Sequence, residues 1–153
     1  MEFLDDAKEE LKRVDHLIYV SLKYTRTVDV LLNAISRMID AYDFIFQAIL
    51  QKAVEQEKIE EIPLTPIEKG NAVKKLYPED DQIYDNVELC FLLRKLHRSN
   101  PEKEQEYRRH VAMKSIVDGR EEIVNIDIIT QYYHFQLEFF KKINVLLGEN
   151  PDG

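Results

Sequence analysis

A cluster of basic residues in the second half of the chain has the composition of a phosphate-binding site. Residues 94–114 contain seven Lys or Arg and three Glu, a local charge of +4, although the chain of 153 residues carries −8. The candidate ligand-binding residues in this cluster are Arg94, Arg98, Arg108, Arg109 and His110. Guanidinium groups bind phosphate oxygens through paired N–H donors, so we expect phosphate binding if both ends of the cluster share a face. The structural alternatives are a charged helix end around residue 94 and a solvated strand edge around residue 109.

A second polar cluster interrupts the apolar pattern of the N-terminal third. It consists of Lys23, Tyr24, Arg26 and Asp29. Arg26 and Asp29 are three residues apart and would form an ion pair on one face of a helix. Polar positions inside a heptad pattern commonly specify register or oligomeric state, which is the structural interpretation. The alternatives are a ligand-binding site, or an enzyme that acts through Lys23, Tyr24 and Arg26.

The sequence contains no motif for a metal or a cofactor. A single cysteine, Cys90, excludes a zinc site built from several thiolates and a disulfide framework. None of the four histidines follows a Glu by three residues, the spacing that di-iron helical bundles need. Four scattered glycines cannot build a phosphate-binding loop. We therefore predict no cofactor and no metal, and favour a non-enzymatic role.

Composition also bears on the surroundings of the protein. No apolar run approaches the roughly 18–20 residues that a membrane span requires, and the acidic start M-E-F-L-D-D does not have the pattern of a secretory signal. One cysteine suits a reducing compartment. We predict a cytoplasmic protein without a membrane partner, whose net charge of −8 argues against nucleic-acid binding by the surface as a whole.

The first 62 residues contain neither Gly nor Pro, and their apolar residues recur at alternating spacings of four and three. Twelve of the fourteen positions in this register between Ala7 and Ala53 are apolar, and the exceptions are Ser21 and Thr25. A strict seven-residue period is typical of coiled-coil packing and predicts a very long helix over about 4–58. At ~1.5 Å per residue this helix would be about 80 Å long. Either it bends back near Ser21 and Thr25, or a second copy covers its apolar seam; we expect the second copy.

Capping and turn signals predict the elements that follow. Three helices are predicted: one over about 66–76 with Thr65 as its cap, one over about 80–98 capped by Asp80, and a charged one over about 101–107. A β-hairpin over about 110–126 around Asp118-Gly119 and a last helix that begins at Asn125 or Asp127 and ends near Leu147 complete the chain. The predicted fold is mainly α: a helical bundle with one small hairpin, forming a single domain over 1–148, with a disordered tail over 149–153.

Four segments carry a resemblance to known proteins: residues 15–29, F-L-L-R-K at 91–95, Y-R-R-H-V at 107–111 and V-N-I-D at 124–127. Together they resemble a family of archaeal helical-bundle proteins of unknown function over nearly the whole chain. The arrangement is also similar to HEPN domains, helical bundles that commonly dimerise and that partner small nucleotidyltransferases or cut RNA. HEPN ribonucleases carry an Arg followed four to six residues later by His, and this sequence lacks that pattern.

Two functions follow as expectations. The first is a non-enzymatic helical protein that forms a homodimer or binds a partner protein. The alternative is a HEPN-like protein that binds RNA or a nucleotide through the basic patch around residues 94–114.

Overall fold

The computed structural model describes residues 2–148, so the tail predicted over 149–153 lies outside the described residues. Its helical elements are α1 (Glu2–His16), a π-helical turn (Leu17–Ser21), α2 (Leu22–Tyr24), α3 (Val28–Glu55), α4 (Pro66–Leu76), α5 (Asp81–Arg98) and α6 (Ile126–Leu146). The strands are β1 (Glu102–Glu104), β2 (Ala112–Val117) and β3 (Arg120–Asn125), in one antiparallel sheet of order β1-β2-β3. The predicted mainly helical class is confirmed.

The continuous helix predicted over residues 4–58 is wrong, because the chain breaks at residues 25–27 and folds back. Thr25 and Thr27 both have extended backbones, with φ of −135° and −123°. The Thr27 hydroxyl accepts a hydrogen bond from the Val30 N–H at 3.3 Å, which makes it the N-cap of α3. Helix α1, the π-helical turn and α2 therefore run back along α3 as one antiparallel arm, and Arg37 on α3 pairs with Glu10 on α1 at 3.3 Å.

The apolar seam of this arm is buried within the subunit. The buried apolar residues of the arm are Leu4, Ala7, Leu11, Val14, Ile18 and Leu22. Leu22 takes the place of the predicted Ser21, because the π-helical turn adds one residue to the helical repeat. The buried residues of the arm join a core that includes α3, α5 and α6, where Phe139 packs on Tyr42 and Phe46 with ring centroids 5.9 and 6.3 Å away. The apolar residues of the arm thus pack on those of α3 in the same subunit. The seam does not need a second copy to bury it, which removes the physical reason for predicting a homodimer. Self-association itself stays a prediction.

The sheet differs from the predicted single hairpin by one strand. The hairpin is present as β2 and β3, turning at Asp118 and Gly119 with φ of 51° and 78°. The charged helix predicted over 101–107 is wrong, because Glu102–Glu104 pairs with β2 as a third strand. A helix of seven residues is too short to be stable alone, whereas an exposed edge of β2 supplies backbone partners at once.

Helix α5 connects the sheet to the helical core. The hydroxyls of Ser99, at the end of α5, and Ser115, on the inner face of β2, lie 2.8 Å apart and share a hydrogen bond. Lys95 pairs with Asp118 of the hairpin turn at 2.6 Å. These contacts hold the sheet against the end of α5 and place the connection between β1 and β2 beside the break at residues 25–27. Among the helices of residues 2–148, none is long and apolar enough to cross a lipid bilayer.

Candidate functional site

The loop between β1 and β2 docks on the break between α2 and α3. The Tyr107 N–H donates to the Arg26 carbonyl oxygen at 2.6 Å, and the Glu106 carboxylate accepts from the Val28 N–H at 3.0 Å. Both backbone groups lack helical partners, because Arg26 lies outside a helix and Val28 is in the first turn of α3. The docking brings Lys23 and Arg26 next to a loop that lies more than 75 residues further along the chain.

The docked loop has an unusual backbone on each side of Glu106. Gln105 and Tyr107 have φ of 50° and 65°, a region that costs a residue with a side chain on the order of 1 kcal/mol. This conformation turns the Glu106 carboxylate and the Tyr107 N–H toward the break. Asp29 pairs with Lys103 of the adjoining strand at 3.4 Å rather than with Arg26. The predicted Arg26–Asp29 ion pair is therefore wrong, because Arg26 is not on the same helix as Asp29.

A groove of about 400 Å³ lies between the arm, the docked loop and the start of α6. It brings together residues of both predicted clusters: Lys23 and Arg26 from the arm, and Arg109 and His110 from the loop. Asp127, in the first turn of α6, is the carboxylate in its lining. The three cations and this carboxylate sum to +2 with His110 neutral. Within residues 2–148, the charged nitrogens of Lys23, Arg26 and Arg109 form no ion pair with a carboxylate.

The remaining wall of the groove is partly apolar and partly aromatic. Ile18 and Leu22 are buried in it, whereas the Tyr19 side chain is 41% exposed. The Tyr19 hydroxyl and His134 Nε2 lie 2.8 Å apart, a hydrogen bond that joins the π-helical turn to α6. A π-helical turn inside a helix displaces its side chains from the α-helical positions, and such turns are frequent at functional sites. Here the turn contributes Ile18 and Tyr19 to the groove.

A second contact also holds the arm against α6. The Tyr133 hydroxyl on α6 donates to the Asp15 carboxylate on α1 at 3.1 Å. Burial raises the pKa of Tyr133, and the hydrogen bond to Asp15 raises it further, so the hydroxyl remains a protonated donor at neutral pH. The Tyr19–His134 and Tyr133–Asp15 hydrogen bonds therefore connect the arm to α6 beside the groove.

Arg94 and Arg98, at the N-terminal end of the basic cluster, lie outside this groove. They line a cavity of about 540 Å³ between α5 and the start of α4. Both oxygens of the Asp43 carboxylate hold the Arg94 guanidinium, so this residue has a structural partner. Arg108 is exposed and lines neither of these two cavities. The five candidates of residues 94–110 therefore do not form one surface, and only Arg109 and His110 meet the N-terminal cluster.

The predicted cluster at residues 23–29 is also divided. Lys23 and Arg26 line the groove, while Tyr24 is 84% exposed outside its lining and Asp29 pairs with the adjoining strand. The three residues considered for an enzymatic role therefore do not converge on one pocket. No local signal in the sequence joins Arg26 to Arg109; only the polar interruption at residues 25–27 marks one side of the groove.

Across the part of the chain that the structure describes, no three His, Cys, Asp or Glu side chains are grouped closely enough to hold a metal ion. Cys90 is buried, and desolvation followed by the nearby Asp43 raises the pKa of its thiol to about 12. A thiol that stays protonated at neutral pH is a poor nucleophile and metal ligand.

Comparisons of the chain with protein-family models, with curated proteins and with solved structures find no match. The resemblance to archaeal helical-bundle proteins and to HEPN domains therefore stays a prediction, and a functional proposal has to rest on the groove.

Proposed function

We propose that the protein binds a phosphate-bearing ligand, either RNA or a nucleotide, in the groove lined by Lys23, Arg26, Arg109 and His110. One observation carries this proposal: three cations without carboxylate partners among the described residues line a single groove of a chain whose net charge is −8. Cations in a structural role are usually paired or spread over a surface. Unpaired cations that share one concave site instead attract an anion, and phosphate is the anion that guanidinium groups bind best.

The size and the aromatic residues of the site support the same ligand class. A volume of about 400 Å³ falls within the roughly 300–1,000 Å³ of small-molecule sites. Tyr19 in the groove is 41% exposed. Tyr24, which follows Lys23, and Tyr107, whose N–H bonds Arg26, lie outside the lining and are 84% and 76% exposed. Exposed aromatic rings beside cations stack on nucleic-acid bases, at about 1–3 kcal/mol per base. The proposal is a binding function and includes no chemical step.

Binding measurements with one matched control test this proposal. We expect a labelled RNA of about ten nucleotides, or AMP, to bind the native protein at low salt, with an affinity that falls as salt rises because phosphate contacts release counterions. Arg109→Ala should weaken binding about tenfold through the loss of one charged contact. Arg120→Ala removes the same charge from an exposed residue of the hairpin outside the groove, and should leave the affinity nearly unchanged.

Two results would contradict the proposal. Absence of binding at low salt would remove it outright. Equal losses in Arg109→Ala and Arg120→Ala would indicate a general charge effect rather than a site.

An apolar groove on another face of the subunit favours self-association as a separate candidate function. Helices α1 and α6 also line a groove of about 640 Å³, which contains the Tyr133–Asp15 contact and has apolar walls that include Leu137, Phe140 and Val145. Val145 is 67% exposed. The charged residues of the lining are Lys8, Lys12, Lys141 and Asp15. Lys12 and Lys141 pair with Glu9 and Glu138 on their own helices, which reduces the repulsion between two copies that face each other there.

Sedimentation tests this candidate. A homodimer through this groove should sediment at about twice the 18.1 kDa of the chain, and Val145→Glu should convert it to monomer by placing a charge in an apolar interface. Ile116→Glu is the control, because Ile116 is also 67% exposed but lies on β2, away from α1 and α6. A native protein that is monomeric at all concentrations tested would contradict the candidate.

A further inference from the structure

We infer that the groove is selective for a terminal phosphate monoester, the phosphate at the end of a nucleotide or of an RNA strand, over the phosphodiester inside a strand. The inference rests on the proposed function of the groove and specifies which chemical form of phosphate it takes. It follows from the charge of the groove, from the charge of the rest of the chain, and from the shape of the wall.

The charge of the groove matches a monoester. Lys23, Arg26 and Arg109 contribute three positive charges and Asp127 one negative charge, so the lining carries +2 with His110 neutral. A phosphate monoester carries about −1.5 to −2 at neutral pH, because its second pKa is near 6. A phosphodiester carries only −1 and would leave one cation of the groove uncompensated. These residues can therefore distinguish the monoester from the diester by the additional negative charge of the monoester.

The three cations come from parts of the chain that hold one another in place. Lys23 is on α2, Arg26 is in the break, and Arg109 is in the loop that the Tyr107–Arg26 backbone hydrogen bond fixes at 2.6 Å. Because the backbone positions are set before a ligand arrives, less ordering is needed on binding. Cations held in this way favour a compact, highly charged group.

The rest of the chain opposes a strand that continues past the groove. Its charge is −10, the difference between −8 for the chain and +2 for the groove lining. A long polyanion would extend over the rest of the chain, whose net charge has the same sign, and screening over about 8 Å at physiological salt reduces this repulsion only in part. A ligand with a terminal phosphate places its charge in the groove, and its uncharged part can contact Tyr19 and the apolar wall at Ile18.

Four ligands separate the two kinds of phosphate. They are AMP, the methyl phosphodiester of AMP, and an RNA of about ten nucleotides with either a 5′-phosphate or a 5′-hydroxyl. By calorimetry at about pH 7.5 and low salt, we expect AMP to bind about tenfold more tightly than its methyl ester, because the ester lacks one charge. The phosphorylated RNA should likewise bind more tightly than the hydroxyl form. A stronger affinity for AMP than for phosphorylated RNA would identify a free nucleotide as the source of the phosphate.

Two variants and a change of pH test why AMP should bind more tightly than its methyl ester. Arg109→Ala should reduce the difference between AMP and its ester, whereas Arg120→Ala should retain it. Lowering the pH to about 5.5 protonates the monoester but not the diester, so the preference should shrink. A change in the charge of the protein acts on both ligands, so the ratio of the two affinities reports chiefly on the phosphate.

The outcomes distinguish the inference from the proposed function. Equal affinities for AMP and its methyl ester, both lost in Arg109→Ala, would overturn the inference and leave phosphate binding in place. Failure of all four ligands to bind would overturn both.

Discussion

Glu106 shows how a single residue can matter to a site that it does not line. It is an acidic residue in a basic segment, and by composition it only lowers the local charge. Its carboxylate accepts from the Val28 N–H at 3.0 Å and lies 4.0 Å from the Lys103 ammonium, so it joins the loop to the start of α3. Arg109 and His110 follow it by three and four residues in the same loop. We therefore expect Glu106 to act on ligand binding by holding the loop in place.

Substitution of Glu106 separates this positioning role from charge. Glu106→Ala removes the acceptor for the Val28 N–H, and should lower the free energy of unfolding by about 1 kcal/mol, as the loss of a helix cap does. It should also weaken AMP binding although it removes a negative charge. Glu106→Gln makes the same charge change but keeps an acceptor oxygen, and should bind AMP at least as well as the native protein.

Urea denaturation and calorimetry on both variants check the two effects. Glu104→Ala is the control, since Glu104 lies 3.9 Å from the Lys114 ammonium and makes no contact with the break. Tighter AMP binding by Glu106→Ala would show that Glu106 acts only through its charge.

At the scale of elements, side-chain caps decide where the helices begin. The predicted caps at Thr65 and Asp80 are confirmed: the Thr65 hydroxyl accepts from the Glu68 N–H and the Asp80 carboxylate from the Ile83 N–H. Of the two residues predicted to begin the last helix, Asn125 is the cap, with its side-chain oxygen 2.8 Å from the Ile128 N–H. Such bonds form within four residues, so sequence pattern is sufficient to predict them.

Asp80 also connects two helices, which makes its contribution to stability dependent on pH. Partial burial alone would raise the pKa of Asp80, but the hydrogen bonds from Lys142 on α6, at 2.5 Å, and from the Ile83 N–H hold it below its ordinary value of 3.8. A carboxylate whose pKa is lower in the folded state stabilises that state above its unfolded pKa. This contribution is lost as the pH falls through the folded pKa.

We therefore expect Asp80→Asn to lower the free energy of unfolding at pH 7 and to cost progressively less as the pH falls below about 4. Asparagine can still cap α5, so the loss reports mainly on the Lys142 contact, at about 1 kcal/mol or less. Urea denaturation at several pH values measures the difference. Asp81→Asn, at the exposed first residue of α5, makes the same charge change and should show little effect. A loss of unfolding free energy in Asp80→Asn that does not change with pH would show that the Lys142 contact is not its cause.

At the scale of the whole molecule, the antiparallel pairing of the arm with α3 replaces the second copy that the heptad pattern predicts. Only residues 25–27 separate the two halves, and their extended backbone is held by the Thr27 cap and by the docked loop. The same apolar contacts would form if the arm of one chain packed on α3 of another. The short break is therefore what keeps the pairing within one subunit.

Making the break helical should exchange the arms between two chains. With Thr25, Arg26 and Thr27 all replaced by alanine, the sequence from 2 to 55 favours one continuous helix. We expect a dimer, observed by sedimentation as a species of twice the mass of the native one at the same concentration. Thr25→Ala alone retains the cap at Thr27 and should behave as the native protein does. An unchanged mass for the triple variant would show that packing, not the break, decides the pairing.

The sequence by itself determined the features that depend on neighbouring residues. The beginnings of α4, α5 and α6 and the turn at Asp118-Gly119 follow from contacts within a few positions, where residue type and backbone geometry are directly coupled. The predicted register of the apolar seam holds as far as Ile18, after which the π-helical turn buries Leu22 in place of Ser21. The tertiary structure decided which surfaces meet. The apolar residues of a heptad pattern can be buried equally well by another part of the same chain or by a second copy. The pattern therefore could not show that α1 folds onto α3.

The third strand and the groove depend on tertiary contacts in the same way. Glu102–Glu104 is a strand because β2 supplies the pairing partner, and Arg26 meets Arg109 because a loop docks on a break more than 75 residues away in sequence. Local interactions specify elements, whereas the burial of apolar surface and the satisfaction of unpaired backbone groups act between distant residues. For that reason, only the folded chain brings the cations of the two clusters into one groove.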